Sequence, residues 1–520
     1  MNHNAQHENR KKAVILAIAC LTVFLQFAWQ GNKGFNLWDE GFLWYGVQRV
    51  LLGEVPILDF MAYDPGRYYW SAALISVVGD NGIMGVRTVL ALIQALGLFV
   101  GMLLVAQSGS GNIKNEVPYW IASAAIFVVW MFPRHKLFDI SLSIILLGAL
   151  SSLAARQSQQ RYFFAGVCVG LVAVFGRNHG VYGAVASLGM ICWLSLDRPY
   201  AAGFLRRVLI WGAGVAIGFL PVVLMALFVP GFGVAFWESV RFLFEQSATN
   251  LPLPVPWPWT VRFDNAIGEV LRAVLIGLYF MGILLFGVLS LFWVIRRRLE
   301  DKTVQPALAA AAFLALPYAH FAFSRADVGH LAQGIFPSLI GCMVALATVR
   351  AHIKWTLVAI LCIASFWLIH VFHPGWQCLN ENRCVNVEIS GATLKVDPGT
   401  ASDIALLRRL SMKLAPNGQT FVAAPFWPGA YALMERKSPM WEIFALFPRS
   451  EDFERREIER IKTSRPGFVF LFDMPLDGRE ELRFKNTHPL IHQYVLDNFE
   501  LMKVSPNPAY QVYRARGTGR

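Results

Sequence analysis

Apolar runs of about 18 to 25 residues recur between residues 13 and 372, with short polar breaks between them. Each is long enough to cross a bilayer as a helix. The pattern predicts eleven spans, at about 13–30, 86–107, 118–133, 137–155, 162–177, 179–196, 206–229, 268–295, 304–323, 331–349 and 353–372. The apolar run from Tyr68 to Val78 is only about a dozen residues, a length that suits a helix lying at an interface. Counting it as a span would turn Arg206-Arg207 and Arg296-Arg297-Arg298 outward, against the positive-inside bias. Gly41 to Leu52 reads as a second interfacial helix, with aromatic and aliphatic residues along one side.

The first run follows Arg10-Lys11-Lys12 and ends Gln26-Phe27-Ala28-Trp29-Gln30, with no small-x-small cleavage site. It reads as a retained span with a cytoplasmic N-terminus. An odd number of spans then puts the tail outside and leaves two large external loops, at 31–85 and 230–267. The second loop contains Leu251-Pro252-Leu253-Pro254-Val255-Pro256-Trp257-Pro258-Trp259. Prolines at alternate positions exclude a helix there and predict an extended loop, with the tryptophans as interface anchors.

Beyond Pro374 charges become frequent and apolar runs shorten. Ser402 to Leu414 predicts a helix with Ser402 as its N-cap, and Glu451 to Lys462 a charged helix. Thr420 to Ala424, Phe468 to Phe472 and Tyr510 to Arg514 predict strands. The fold class is therefore a polytopic α-helical membrane protein of about eleven transmembrane helices, residues 1–373, followed by a small extracytoplasmic α/β domain at 374–520.

Composition supports this reading. Residues are 56% hydrophobic and only 15% charged, against about a quarter charged in soluble chains. The net charge of +12 is spread over loops between spans, which fits orientation and contact with membrane lipids rather than nucleic acid. Five of the seven cysteines (Cys20, Cys168, Cys192, Cys342 and Cys362) fall in apolar runs as packing residues. Cys378 and Cys384 lie past the last span, where a short disulfide fits an extracytoplasmic segment.

The candidate chemistry begins with Asp39-Glu40, about ten residues beyond the first span and flanked by Trp38, Phe42, Trp44 and Tyr45. Carboxylates are costly beside hydrocarbon and usually have a task there. The topology also places basic residues outside in four short stretches: Arg67; Arg134, His135 and Lys136; Arg177 and His179; Arg325 and His330. Cations so placed suit a lipid phosphate or pyrophosphate, which guanidinium groups bind through paired hydrogen bonds. Each also has a structural reading: a helix cap for Asp39 and Glu40, ion pairing of Arg67 with Asp64 or Glu54 and of Arg325 with Asp327, snorkelling for Arg134 and Lys136. Four such turns on one side point to the phosphate. A carboxylate could then accept the proton of a weakly nucleophilic sugar hydroxyl while the cations hold a polyprenyl phosphate leaving group.

With its span, its Asp39-Glu40 pair, the helix ending Leu52-Gly53-Glu54-Val55-Pro56, and the segment Asp59-Phe60 through Pro65-Gly66-Arg67-Tyr68-Tyr69-Trp70, the chain resembles the GT-C integral-membrane glycosyltransferases. It is most similar to the protein O-mannosyltransferase and lipid A aminoarabinose transferase branch. The resemblance implies Asp39 as base with Glu40 beside it, and Arg67 near the donor phosphate. It implies Asp139 as a second external acid and a polyprenyl-phosphate-linked sugar as donor to a lipid, glycan or protein acceptor. Asp64 joins the secondary acids. A bacterial inner-membrane location with a periplasmic active site follows from the same likeness. No Asp-x-Asp occurs in the first loop, which counts against metal dependence of the kind seen in oligosaccharyltransferases; a divalent metal is the open alternative. A lipid-linked glycan polymerase or ligase uses the same kind of donor, and a transporter or flippase is the alternative of a different class.

Overall fold

The computed structural model describes residues 2–109, 113–196, 203–246, 250–380, 383–502 and 509–516. Glu381 and Asn382 of the disulfide loop, and residues 247–249 of the second external loop, lie outside the described residues. In chain order the helices are α1 Asn2–Gln30, α2 Asp39–Leu51, α3 Gly66–Val78, α4 Ile83–Ala106, α5 Ile113–Trp130, α6 Leu137–Ala155, α7 Gln159–Phe175 and α8 Arg177–Leu194. They continue with α9 Phe204–Phe228, α10 Phe232–Gln246, α11 Ile267–Leu299, α12 Pro306–Ser324, α13 Val328–Gly334, α14 Phe336–Leu346, α15 Ala351–Ile369 and the short α16 Pro374–Gln377. The remaining elements are strands β1 Val385–Ile389 and β2 Ala392–Val396, α17 Pro398–Leu414, β3 Val422–Ala424, α18 Pro428–Met434, α19 Glu451–Ser464, β4 Phe468–Phe472, α20 Phe484–Thr487, α21 Pro489–Asn498, β5 Phe499–Met502 and β6 Tyr510–Ala515.

All of the expected apolar runs are helical, and so are both short interfacial segments. Among the described residues, seven helices are long and apolar enough to cross a membrane, or up to eight if α13 and α14, bent by 54°, count as one span. The difference from eleven lies in α5, α7 and α8. These are 17 or 18 residues long and spend their first turn on polar side chains: Lys114 and Glu116, Gln159 to Arg161, and Arg177 to His179.

The chain divides into two compact units, one of residues 1–31, 87–229 and 248–376, the other of residues 32–86, 230–247 and 377–520. In the first unit α7 and α9 meet backbone to backbone. A Cβ on Gly166 would lie 2.0 Å from the Trp211 carbonyl oxygen, and one on Gly170 2.2 Å from that of Val215. Gly214 and Gly218 answer from α9, at 2.2 Å from the carbonyl oxygens of Phe163 and Val167. Glycines spaced four apart on both helices give the dispersion contact that substitutes for a hydrophobic driving force in lipid. The Pro-rich loop forms no helix or strand before the 3₁₀ turn at Pro258–Thr260; the Trp257 amide donates to the Val255 carbonyl (2.9 Å), and Trp257 stacks on Trp259 at 5.2 Å.

In the second unit a four-stranded sheet has the order β3-β4-β6-β5. β3 runs parallel to β4, and the other pairs are antiparallel. Val422, Val469, Leu471, Ile461, Ile491 and Val495 fill its core. β1 and β2 form a separate hairpin. The first loop is part of this unit: the Ser438 amide donates to the Tyr45 hydroxyl (2.9 Å), and Trp441 Nε1 donates to the Ile57 carbonyl (3.0 Å). Cys378 and Cys384 are joined by a disulfide.

Two sequence expectations need correction. The helix expected from Ser402 starts a turn earlier, because Pro398 sets its first position and Asp397 accepts from the Thr400 amide (2.9 Å). Of the five other cysteines, Cys20 and Cys192 are not packing residues, because they lie on exposed helix faces; Cys168, Cys342 and Cys362 are half-buried.

A buried ionic network stiffens the sheet unit. Arg449 Nη2 lies 2.6 Å from Glu442 Oε1, and His488 Nε2 2.9 Å from Glu442 Oε2. Burial pushes the Glu442 carboxyl up, but Arg449 and His488 outweigh it and hold it below its ordinary value of 4.5. Its contribution to stability is therefore complete above pH 4.5 and is lost as pH falls through the lowered folded value. Glu442→Gln should cost about 3–5 kcal/mol by leaving Arg449 buried without its carboxylate. Denaturant unfolding across pH 3–7 checks this: the wild type should lose stability at the acid end, and the variant should lose less there because it starts without the ion pair.

Candidate functional site

In the second unit, α2 begins at the acid pair. Asn36 Oδ1 accepts from the Glu40 amide (2.9 Å) and so caps the first turn. Asp39 is half-buried, whereas Glu40 is 5% exposed. The next residue, Gly41, is fixed by close packing. A Cβ there would lie 2.5 Å from the Cα and 2.6 Å from the nitrogen of Gly429, whose amide donates to the Leu37 carbonyl (2.7 Å). The Pro428-Gly429 turn that opens α18 thus sets the start of α2. Trp38 and Phe426 add an edge contact at 6.4 Å.

α3 carries Arg67, 3% exposed, with its guanidinium 4.8 Å from the Tyr63 ring centre. Tyr63 packs edge-on against Phe42 at 4.7 Å, one helical turn from Asp39. Tyr68 fills the space that Gly46 leaves on α2, and its hydroxyl oxygen accepts from the Tyr63 amide (3.1 Å). Asp64 is buried just before this helix. One aromatic frame therefore carries Asp39, Glu40, Asp64 and Arg67. The suggested partner Glu54 pairs with Arg49 and Lys437 instead.

The first unit gathers the remaining candidates at helix ends. Asp139 in the first turn of α6 and His179 in the first turn of α8 are hydrogen-bonded, Oδ1 to Nε2, at 3.0 Å. His179 Nδ1 meets the Tyr318 hydroxyl of α12 at 2.9 Å, and all three side chains are buried. Arg177 shares the first turn of α8 with His179. Asp327 caps α13 and binds two candidates at once: Arg325 Nε at 2.9 Å and His330 Nδ1 at 2.9 Å. Burial pushes the Asp327 carboxyl up, but His330 and Arg325 outweigh it and leave it below its ordinary value. Phe321 lies against both His179 (5.5 Å) and His330 (5.7 Å). Arg134 and Lys136 form one 3₁₀ turn with His135; Arg134 donates to the Gln30 carbonyl (2.8 Å), and Pro133 lies beside Gly329.

Tyr318, Tyr63, Asn36 and Gly429 belong to these arrangements and were not among the sequence candidates. Tyr318 offered no signal inside an apolar run, whereas Asn36, three residues before the acid pair, fits a cap pattern. Among the described residues, no group of three or more His, Cys, Asp or Glu is arranged to hold a metal ion.

No family model matches the chain, and no curated protein matches it. Solved structures do. ArnT from Cupriavidus metallidurans bound to undecaprenyl phosphate superposes with a TM-score of 0.56 at 12% identity, over 96% of this chain and 97% of that one. The apo state of ArnT gives 0.50 at 13% identity, over 96% and 97%. Oligosaccharyltransferase AglB from Archaeoglobus fulgidus, in complex with an inhibitory peptide and a dolichol-phosphate, gives 0.47 at 12% identity over 97% and 74%, too low for a fold assignment. The likeness to ArnT is one of fold: this chain shares its architecture over 96% of its length, and its helices of membrane-crossing length make it a multi-pass membrane protein.

The Gly41–Gly429 approach makes a direct forecast. Gly41→Ala should cost about 1–3 kcal/mol, because only backbone can give way. Thermal unfolding in detergent measures it, and an unchanged midpoint would show that the start of α2 is not held by this contact.

Proposed function

We propose that the chain is a membrane glycosyltransferase that moves a sugar from a polyprenyl-phosphate carrier to a lipid, glycan or protein acceptor, with inversion. The half-buried Asp39 carboxylate at the head of α2 carries this reading, together with the fold shared with ArnT, a protein solved with undecaprenyl phosphate. The acceptor hydroxyl attacks the anomeric carbon as Asp39 takes its proton. The bond between that carbon and the phosphate oxygen breaks, and the carrier leaves as polyprenyl phosphate. Developing charge on the leaving oxygens calls for fixed cations. Arg67, Arg134, Lys136, Arg177 and Arg325 take that role, with His179 and His330 as secondary contacts.

The arrangement within each unit supports these assignments. Asp327 orients Arg325 and His330 together, and Asp139 and Tyr318 fix the His179 ring from both sides. Glu40, buried beside Asp39, serves as its positioning neighbour. The reading includes a bacterial inner-membrane location, a cytoplasmic N-terminus and a periplasmic sheet unit.

Asp39→Asn should lower transfer by roughly 10²–10⁴-fold while membrane insertion and donor binding stay intact. Arg67→Ala should chiefly raise the KM for the donor. Purified protein incubated with a panel of radiolabelled polyprenyl-phosphate sugars reads both. Near-wild-type transfer by Asp39→Asn would sink the assignment of the base.

A further inference from the structure

Helix α10, Phe232–Gln246, has no part in the proposed chemistry, yet it shows three distinct edges. Its inner edge is fixed to its own unit. Phe232 is fully buried, Phe242 lies under the Arg449 guanidinium at 3.5 Å, and Gln246 donates to the Pro448 carbonyl (3.3 Å). The outer arc can be read at 100° per residue. It runs from Val240 through Phe244 and Trp237 to Arg241 and Val234, and then to Glu245 and Glu238. Trp237 is 66% exposed, Val234 67% and Phe244 78%. Arg241 and Glu245, both exposed, pair at 3.0 Å.

A helix standing in water would not concentrate tryptophan, phenylalanine and valine on one exposed edge and acids on the next. A helix lying flat on a bilayer needs that division, since one edge meets the headgroup–acyl boundary and its neighbour meets water. Tryptophan prefers that boundary, and Arg241, within the exposed edge between Trp237 and Val234, can reach lipid phosphate. Only Val229, Pro230 and Gly231 separate α10 from the end of α9, an apolar span whose last residues, Leu227 and Phe228, are 71% and 77% exposed. In sequence, α10 thus follows directly on a helix of membrane-spanning length.

We propose that α10 is a bilayer-surface helix, with the Trp237 edge seated among lipid headgroups and the Glu238–Glu245 edge in water. The occupant of the exposed edge is lipid. Because Arg449 grips Phe242 on the opposite side, the bilayer contact bears on residues 442–453 of the sheet unit.

The test uses the full chain in phosphatidylethanolamine–phosphatidylglycerol nanodiscs, with the five free cysteines replaced. Trp237→Cys and Glu238→Cys each carry a polarity-sensitive bimane label. The label at 237 should be quenched several-fold more than that at 238 by shallow nitroxide lipids, and aqueous iodide should reverse the order. Equal iodide quenching at both positions would overturn the proposal, and so would equal lipid quenching. Shielding at 237 that persists in detergent and grows with protein concentration would assign the edge to a second copy, and overturn it likewise. Should a labelled variant fail to fold, a photoactivatable phospholipid on the unmodified protein gives the same reading: adducts on residues 234–244 support the proposal, and their absence alongside labelled spans defeats it.

Discussion

Two guanidinium groups close the end of the first span, and much of the bundle's order depends on them. The last carbonyls of a helix have no partner within it, and α1 has no basic residue of its own in its last turn. Arg134 donates to the Gln30 carbonyl and the buried Arg87 to that of Gly31, each at 2.8 Å. The Gln30 side chain meets His373 Nδ1 at 3.2 Å and accepts from the Gly375 amide at 3.3 Å, while His373 Nε2 reaches the Val129 carbonyl at 2.8 Å. A carbonyl left unmet beside hydrocarbon costs several kcal/mol. Satisfying these groups pins α1, α4, the turn before α6 and the segment after α15 to one another. Arg134 thus has a structural task beside the one proposed for it: one of its five donors secures α1, in the turn that leads into Asp139 and the His179–Tyr318 chain.

Small residues set the second level of order. Where a Cβ would strike backbone, two elements approach more closely than side chains permit, and their relative position is fixed to a fraction of an ångström. Gly166, Gly170, Gly214 and Gly218 do this for α7 and α9, and Gly41 with Gly429 does it for α2 and α18. The second case matters more for chemistry. The acid pair sits on a short helix of four turns or fewer, too short to hold itself, and the backbone contact supplies the rigidity that the proposed base would require.

Periodicity made the helices legible. Run length and apolar character are local properties, and each run became a helix, as did the short segments over Tyr68–Val78 and Gly41–Leu52. What stayed hidden depends on distant partners. Ser402 looked like a cap because serine before an apolar stretch often is one, but the Asp397-Pro398 pair lies a turn upstream and offers a better start. Cys20 and Cys192 looked buried because apolar neighbours imply packing in water, whereas in a bilayer an apolar face can turn outward. Of the site, the charged residues stood out against a sparse background, since an ion near hydrocarbon is conspicuous. Tyr318 did not, because tyrosine in an apolar run is ordinary and only its bond to His179 marks it.

The division between Asp39 and Glu40 shows how far neighbouring residues of one charge can part. Successive helical positions point about 100° apart, so the first turn of α2 sends one carboxylate toward accessible space and the other into the frame of the unit. Glu40 is 5% exposed and its amide is tied to Asn36, whereas Asp39 stays half-buried. A general base must come within hydrogen-bond reach of the proton it takes, and a side chain closed off on all sides cannot meet an incoming hydroxyl without movement of its surroundings. Such movement is resisted here by the Gly41–Gly429 contact one residue further on. Exposure therefore favours Asp39 over Glu40 for the base proposed above, and Glu40 is the buried neighbour whose amide Asn36 caps.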